Sequence, residues 1–474
     1  MGALSFLDRS HSVAKPGFSR WIVPPAALSI HLAIGQVYAF SVFKKPLNYL
    51  VQVSTSGGGL KALPGVDSLN PMDWKFTDLG WIFSLAIVVL GLSAAVFGKW
   101  LERAGPRKAM FAAAVCFASG FFVSALGVQL HQLWLIYLGY GVIGGIGLGL
   151  GYISPVSTLI KWFPDRPGMA TGMAIMGFGG GALIGAPLAT NLMAYFRTNH
   201  NLGVENTFLV MGSIYFVAMM FGVFTVRVPQ EGWKPEGWVA SAKPKALVTT
   251  HDLEVNAAFA TPQFWLLWVV LCMNVTAGIA IIEQASPMIQ ELFKGRITAA
   301  AAGGFVALLS LFNMGGRFVW SSVSDYIGRK NTYYIFFVLG AILYYLAPRT
   351  GVSGLNSIPL FVSICAVILS MYGGGFATIP AYLRDLFGTL EVGAIHGRLL
   401  TAWSVAGVCG PVLTNYIREH EKNRGVPLAD AYSTVLYVMV GLLIVGFCAN
   451  AAVRPVDPRH WSNAEDGNKQ MATA

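Results

Sequence analysis

Arg317 is the one charge before Asp325 in the stretch FVALLSLFNMGGRFVWSSVSD, Phe305 to Asp325, whose other residues suit hydrocarbon. A guanidinium keeps its proton because its pKa exceeds about 12, and insertion scales charge roughly 2.5–3.5 kcal/mol for placing it at the centre of a bilayer. Its planar fork can give a carboxylate two parallel hydrogen bonds. Ser310, Asn313, Arg317 and Ser321 follow a spacing of three, four and four, which puts them on one helical face, away from Leu308, Leu311 and Phe318. Such a polar stripe reads as the wall of an aqueous cavity, and its chemistry is the binding of an anion. No acid inside another apolar segment is an evident permanent partner, since Glu283 falls near the opposite end of its segment. A purely structural role remains open, with Arg317 pairing to carbonyls or to a carboxylate at a helix end and holding the protein together.

The elements that position this residue are membrane spans. The chain has 474 residues, 55% hydrophobic and only 11% charged, with a mean hydropathy of +0.59, where soluble domains carry about 25% charged residues. Apolar segments near the length that crosses a bilayer are expected at 21–43, 77–98, 109–129, 133–160, 168–196, 206–227, 262–283, 298–323, 331–347, 357–383, 395–417 and 432–453. The net charge of +10 comes from no long basic run and no aromatic-interleaved patch, which argues against a nucleic-acid partner. Of the 32 Lys and Arg, 20 fall on the side of the N-terminus, 11 on the other side, and the last is Arg317. The positive-inside rule therefore predicts both termini in the cytoplasm. Residues 1–20 lack an apolar h-region, so the first span is expected to be retained. Cys116, Cys272, Cys365, Cys409 and Cys448 all fall in spans without a CxxC pair, and read as small interior residues.

The chain repeats itself. GKWLERAGPRKAM (Gly98 to Met110) returns as SSVSDYIGRKNTY (Ser321 to Tyr333), and WFPDRPGMATG with a later GAP returns as LFGTLEVGAIHG with a later GP, at offsets of 223–225 residues. Two related halves, residues 21–227 and 262–453, are expected, joined by a polar linker at 228–261 and flanked by tails at 1–20 and 454–474. GYGVIG (Gly139 to Gly144) fits a dinucleotide-site pattern, but it lies inside a span with no preceding strand. Gly141, Gly145 and Gly149, Gly147 and Gly151, and Gly181 and Gly185 stand four apart and read as close-packing faces.

These motifs resemble those of the major facilitator superfamily over the whole chain. The resemblance implies an all-α integral membrane protein with twelve transmembrane helices in two pseudo-symmetric six-helix bundles. It also implies charge clusters that gate the cytoplasmic face, matched here by Glu102, Arg103, Arg107 and Lys108 after Gly98, and by Asp325, Arg329 and Lys330 in the second copy. Glu102 replaces a usual Asp, and Pro106 stands where Arg is common. AIGQVYAFSVFKKPL (Ala33 to Leu47) together with YGGGFATIPAYLRDLFGT (Tyr372 to Thr389) is similar to the oxalate/formate antiporter family, and monocarboxylate transporters share parts of it. In that family an Arg of helix 8 at the matching position binds the anion, which implies this role for Arg317. The oxalate exchangers add a basic residue in helix 11. Here that helix holds nothing cationic between Arg398 and Arg418, and Trp403 occupies the region.

Further candidates for the cavity wall are Asn313, Gln36, Tyr38, Tyr137, Tyr140, Tyr152, Asn274, Tyr372 and Trp403. His31 either carries a coupling proton or is a satisfied interior histidine. No HExxH, metal-ligating cluster or catalytic set motivates an enzyme, and no cofactor is implied. The reading is a monomeric carrier of small organic carboxylates in the plasma membrane, the inner membrane in a bacterium. Monocarboxylates are favoured over an oxalate/formate-type exchange, and protons or a counter-anion are the coupling partners. A non-transporting sensor of the same fold is the rival. With Ser241→Cys as the single cysteine, an impermeant thiol reagent is expected to leave intact cells unlabelled and to label permeabilised ones. Strong labelling from outside would reverse the predicted orientation.

Overall fold

The structure, a computed structural model, describes residues 5–48, 74–198, 202–238, 247–249, 251–351 and 354–461. The Ser241 labelling position and the Glu283 side chain lie outside the described residues. Among the described residues twelve helical rods follow the predicted order. Rod α1 comprises Val23–Ile34, a tighter turn Gly35–Ala39 and Ser41–Asn48; α2 is Phe76–Ala104, α3 Pro106–Gln129, and α4 Leu133–Ile136 continuing through Tyr137–Ile143 and Gly144–Trp162. Then come α5 Pro167–Phe196, α6 Val204–Thr225, α7 Pro262–Leu292, α8 Ala299–Ile327, α9 Arg329–Leu346, α10 Ile358–Phe387, α11 as Val392–Leu399 with Thr401–Asn423, and α12 Leu428–Ala452. Among the described residues 11 helices are long and apolar enough to cross a membrane. Rod α11 falls outside that group because it breaks at Leu400 and ends in Arg418, Glu419, His420 and Glu421. It packs on α2, α7 and α12, so protein covers much of it.

Several rods run further than their apolar segments, and the extra turns carry charge. Glu102 and Asp325, expected in loops, lie in the last turns of α2 and α8. Gly105 and Gly328 end those helices with φ/ψ of 86°/159° and 87°/149°. This positive-φ conformation is open to glycine and strained for other residues, and its recurrence shows that the two copies of the motif fold alike. Pro106 sits at the first position of α3, where its missing N–H removes no helical hydrogen bond. That is how the departure from Arg is tolerated.

Small residues set how closely the rods approach. A Cβ at Gly141 or Gly145 would come within 2.8 Å of Leu85 or Val89 on α2, and one at Gly149 within 2.5 Å of the Leu90 carbonyl. The glycine stripe of α4 is thus a packing face, and the GYGVIG segment lies inside a membrane helix. Where α1 crosses α5, a Cβ on Gly35 would collide with the Phe178 carbonyl, and one on Gly181 would lie 2.5 Å from the Gly35 carbonyl carbon. This crossing coincides with the break in α1 and brings Tyr38 against Phe178.

Rods α1–α6 pack on one another, as do α7–α12. The two groups meet chiefly through α5 with α8 and α10, and through α2 with α11. At the face that carries both described chain ends, each group offers a carboxylate to a helix start of the other. Asp325 accepts from the Gly168 and Met169 N–H groups of α5 at 2.9 Å each, and from Arg329 at 2.5 Å. Glu102 accepts from the Gly393 N–H of α11 at 3.0 Å, Ser157 at 2.9 Å and Lys161 at 2.6 Å. A carboxylate on a helix start satisfies orphan N–H groups and meets the positive end of the helix dipole, worth up to about 2 kcal/mol when partly buried. Arg329 extends the second cluster to Asp385, 3.2 Å away.

The other charges of the two motifs serve different contacts. Arg107 donates to the Phe6, His11 and Val226 carbonyls and straps the N-terminal segment across α3 and α6. Lys330 donates to the Ala451 and Val453 carbonyls at the end of α12. Arg103 is exposed. The α5 start, GMATG, and the α11 start, GAIHG, each put two glycines four apart against the opposing group: Gly168 and Gly172 meet Ser321, and Gly393 and Gly397 meet Glu102 and Ala94. A Cβ at Gly168 would collide with the Ser321 carbonyl, whereas one at Gly80 meets nothing within 4 Å. Spin labels at Arg166 and Tyr326 are therefore expected to report a longer separation in Gly168→Val and an unchanged one in Gly80→Val. An unchanged distance in both would mean that this seam does not hold the face shut.

Candidate functional site

Arg317 is fully buried where α8 passes between α5 and α10. The room for its stem comes from glycines: a Cβ at Gly373 of α10 would lie 3.1 Å from Arg317 Cγ, and one at Gly179 of α5 would lie 3.3 Å from its Nε. The glycine runs in MGFGGG and YGGGF are the local reason that a guanidinium fits at the crossing of three helices. Arg317 Nε donates to Asn313 Oδ1 at 3.1 Å, one turn back on the same face. Both Nη atoms are buried with no hydrogen-bond partner. The guanidinium carbon sits 5.6 Å from the Phe178 ring centroid and 5.2 Å from that of Phe376, so two aromatic rings from different helices contact the cation.

An aromatic wall continues from these rings. Trp403 meets Phe178 at 5.3 Å, Phe376 at 4.5 Å and Tyr152 at 5.4 Å between centroids. Phe178 and Trp403 are 225 residues apart, the offset of the sequence repeat, so the two halves supply equivalent positions to one wall. Tyr38 packs on Phe178 at 5.1 Å, and its hydroxyl lies 3.3 Å from that of Tyr372 on α10. Of the wall residues Tyr38 alone keeps partial exposure, while Tyr152, Phe178, Tyr372, Phe376 and Trp403 are buried.

The sequence candidates divide into two groups. Arg317, Asn313, Tyr38, Tyr152, Tyr372 and Trp403 come together. Asn274 is buried against α10 near Gly375, with its Nδ2 unpartnered. Gln36 instead accepts from Tyr140 at 3.1 Å, in a separate cluster where Tyr140 packs on Phe40 and Phe121. Tyr137 donates to the Asp78 carbonyl at 2.8 Å. His31 is fully buried and its ring stands edge-on to Tyr152, 5.3 Å away. Sequence reasoning missed Phe178 and Phe376, although both lie beside the glycine runs that flag a close helix approach. It also missed His396, which is 1% exposed.

The donor set defines the chemistry. Arg317 Nη1 and Nη2, Tyr152 Oη and Trp403 Nε1 are all buried without partners, and each such group costs about 1–3 kcal/mol when left unsatisfied. A ligand that relieves them has to present several acceptors and negative charge on a flat group. A carboxylate does both, and the aromatic rings can cover a small apolar remainder. Nothing in the wall supplies a nucleophile with its base.

The model of the Major Facilitator Superfamily matches residues 17–411 and 286–471. The oxalate:formate antiporter of Oxalobacter formigenes is 28% identical over 333 residues, 69% of this chain and 73% of its own. Apicoplast pyruvate carrier 1 of Toxoplasma gondii is 23% identical over 413 residues, 77% of this chain and 74% of its own. The crystal structure of the fucose:proton symporter of Escherichia coli aligns with a TM-score of 0.61 at 12% identity, over 91% of this chain and 99% of its own, a likeness of fold.

An unpaired buried cation lowers the stability of the empty protein. Arg317→Met, which fills the space without charge, is expected to raise the thermal unfolding midpoint of the ligand-free protein in detergent, with a gain of about 1–4 kcal/mol. A lowered midpoint would show that the guanidinium holds the bundle together.

Proposed function

Since the chain belongs to the Major Facilitator Superfamily, whose fold is that of transporters, we propose that it carries small carboxylate anions, monocarboxylates above all, across the membrane. The observation that carries this reading is the Arg317 guanidinium, buried between two aromatic rings with both Nη atoms free. The substrate carboxylate takes those two donors in parallel, with Tyr152 and Trp403 supplying further hydrogen bonds. Phe178 and Phe376 cover the rest of the anion. Names among the relatives support the class, one an oxalate:formate antiporter and one a pyruvate carrier.

The carrier works by alternating access. The contact between Tyr38 and Tyr372 parts to admit substrate from the face opposite the chain ends. The Asp325 and Glu102 caps then release α5 and α11 to open the other face, which is the cytoplasmic one. Both changes move one group of helices against the other with the site between them.

Selectivity follows from the number of cations. Arg398, at the start of α11, is engaged with the Val255 carbonyl and Asn256 and lies over the Phe259 ring. Arg418 pairs with Glu291 at 2.6 Å. With one fixed cation at the site, a monocarboxylate leaves the occupied site neutral, whereas oxalate leaves a net negative charge in a low-dielectric setting. Purified protein is therefore expected to bind formate, lactate or pyruvate at least about tenfold more tightly than oxalate at neutral pH, a difference of about 1.4 kcal/mol. The comparison is made by thermal-shift titration and by uptake into liposomes. Oxalate binding more tightly than every monocarboxylate tested would overturn the one-cation account.

A further inference from the structure

His396 occupies a position that the anion site does not require. GAIHG at the start of α11 repeats GMATG at the start of α5 with an offset of 225 residues, so His396 stands where the first half has Thr171. Thr171 uses its hydroxyl fully, donating toward the Gly168 and Ala377 carbonyls and joining α5 to α10. His396 makes no such bond, and both of its ring nitrogens are buried without a partner. Its ring faces Tyr152 at 5.8 Å, and the same tyrosine meets His31 at 5.3 Å. His31 Nδ1 lies 3.3 Å from the Ala27 carbonyl. Its Nε2 has no partner, and neither has the Tyr152 hydroxyl. Three ring nitrogens and one hydroxyl, brought by α1, α4 and α11, are thus buried and unused, although such groups are nearly always bonded in folded proteins.

The cluster lies beside the anion site. In α1 and α11 the two histidines precede Tyr38 and Trp403 by about two turns, toward the face of the chain ends. Arg317 on α8 lies against the Phe178 ring, which packs in turn on Tyr152. Tyr38 on α1, Tyr152 on α4 and Tyr372 on α10 are the other titratable groups beside Arg317. α5 presents Gly177 to His31 and Phe178 to Tyr152. Glu102 at the end of α2 binds Gly393, one turn before His396, and is held there by Ser157 and Lys161.

We propose that His31, Tyr152 and His396 form a proton-binding site that is loaded together with the carboxylate on Arg317, which makes the carrier an anion–proton symporter. The inference rests on the carboxylate reading given above. In the empty site a proton on either imidazole would put a second positive charge into a buried region that already holds the uncompensated Arg317 guanidinium, where there is little solvation and little screening. A bound carboxylate cancels the first charge. An imidazole lone pair then takes a proton from water at the open face, and the N–H bond formed on loading breaks on release to water at the other face. Nothing is oxidised or reduced. Linkage makes the effect mutual, so the proton strengthens anion binding as the anion strengthens proton binding. One monoanion moving with one proton transfers no net charge.

The test measures anion binding and proton uptake separately. Pyruvate is titrated into the purified protein at pH 6 by calorimetry, in buffers of different ionisation enthalpy. Wild type is expected to take up a proton with each pyruvate. His396→Thr, which restores the residue type of the first half, and His31→Gln are each expected to bind pyruvate with reduced uptake, and the double variant with none. In liposomes the double variant is expected to keep pyruvate exchange and to lose accumulation driven by a pH gradient. Binding without proton uptake in wild type, or undiminished uptake in the double variant, would overturn the proton site and leave the carboxylate reading standing. If the double variant does not fold, undiminished uptake in both single variants would overturn it equally. Failure of wild type to bind pyruvate or any other carboxylate would remove the carboxylate reading and this inference with it.

Discussion

A guanidinium cannot shed its proton, so wherever Arg317 is placed its charge has to be accommodated by the surrounding structure. It sits at the meeting of α5, α8 and α10 with both Nη atoms unpartnered. Much of the interior architecture is arranged around that residue. Gly179 and Gly373 leave space for the side chain, Phe178 and Phe376 present their rings to the cation, and Asn313 fixes its orientation through Nε. Aromatic faces supply partial negative charge without a competing carboxylate. The guanidinium is thereby stabilised enough to remain buried, while both Nη atoms stay unpartnered.

The same economy appears at the face of the chain ends. Asp325 and Glu102 each bind the N–H groups that begin a helix of the opposing group, and each seam is closed by a pair of glycines four apart. Backbone N–H groups, unlike lysines, carry no full charge that would need solvation when the seam opens. A cap of this kind contributes a few kcal/mol at most, a size that suits the opening and closing that the proposed function requires. The flanking charges have diverged in use, with Arg329 reinforcing its cap while Arg107 binds carbonyls of the N-terminal strap.

The two sites are linked through α11. Trp403 of the aromatic wall, His396 and the Gly393 N–H that binds Glu102 follow one another along that rod, which breaks at Leu400 between the wall and the seam. The break in α1 at Gly35 stands similarly between His31 and Tyr38.

Sequence alone determined the features that depend on local composition and period. Apolar runs marked twelve segments, of which α11 is the weak case by composition. Spacing of four put Asn313, Arg317 and Ser321 on one face, and the repeat offset paired Glu102 with Asp325 before any contact was known. Tertiary structure decided which faces meet. Phe178 and Phe376 were ordinary aromatic residues in apolar helices until the glycine crossings brought them against Arg317. Gln36 and Tyr140, equally plausible by position, turned to each other. His396 near a helix end looked unremarkable, and the packing of α11 on α2 and α4 buried it beside Tyr152. The reason is physical: in a membrane bundle most faces are apolar, so periodicity cannot tell lipid from protein. Partners are set by backbone crossings between residues far apart in the chain, and no local pattern encodes them.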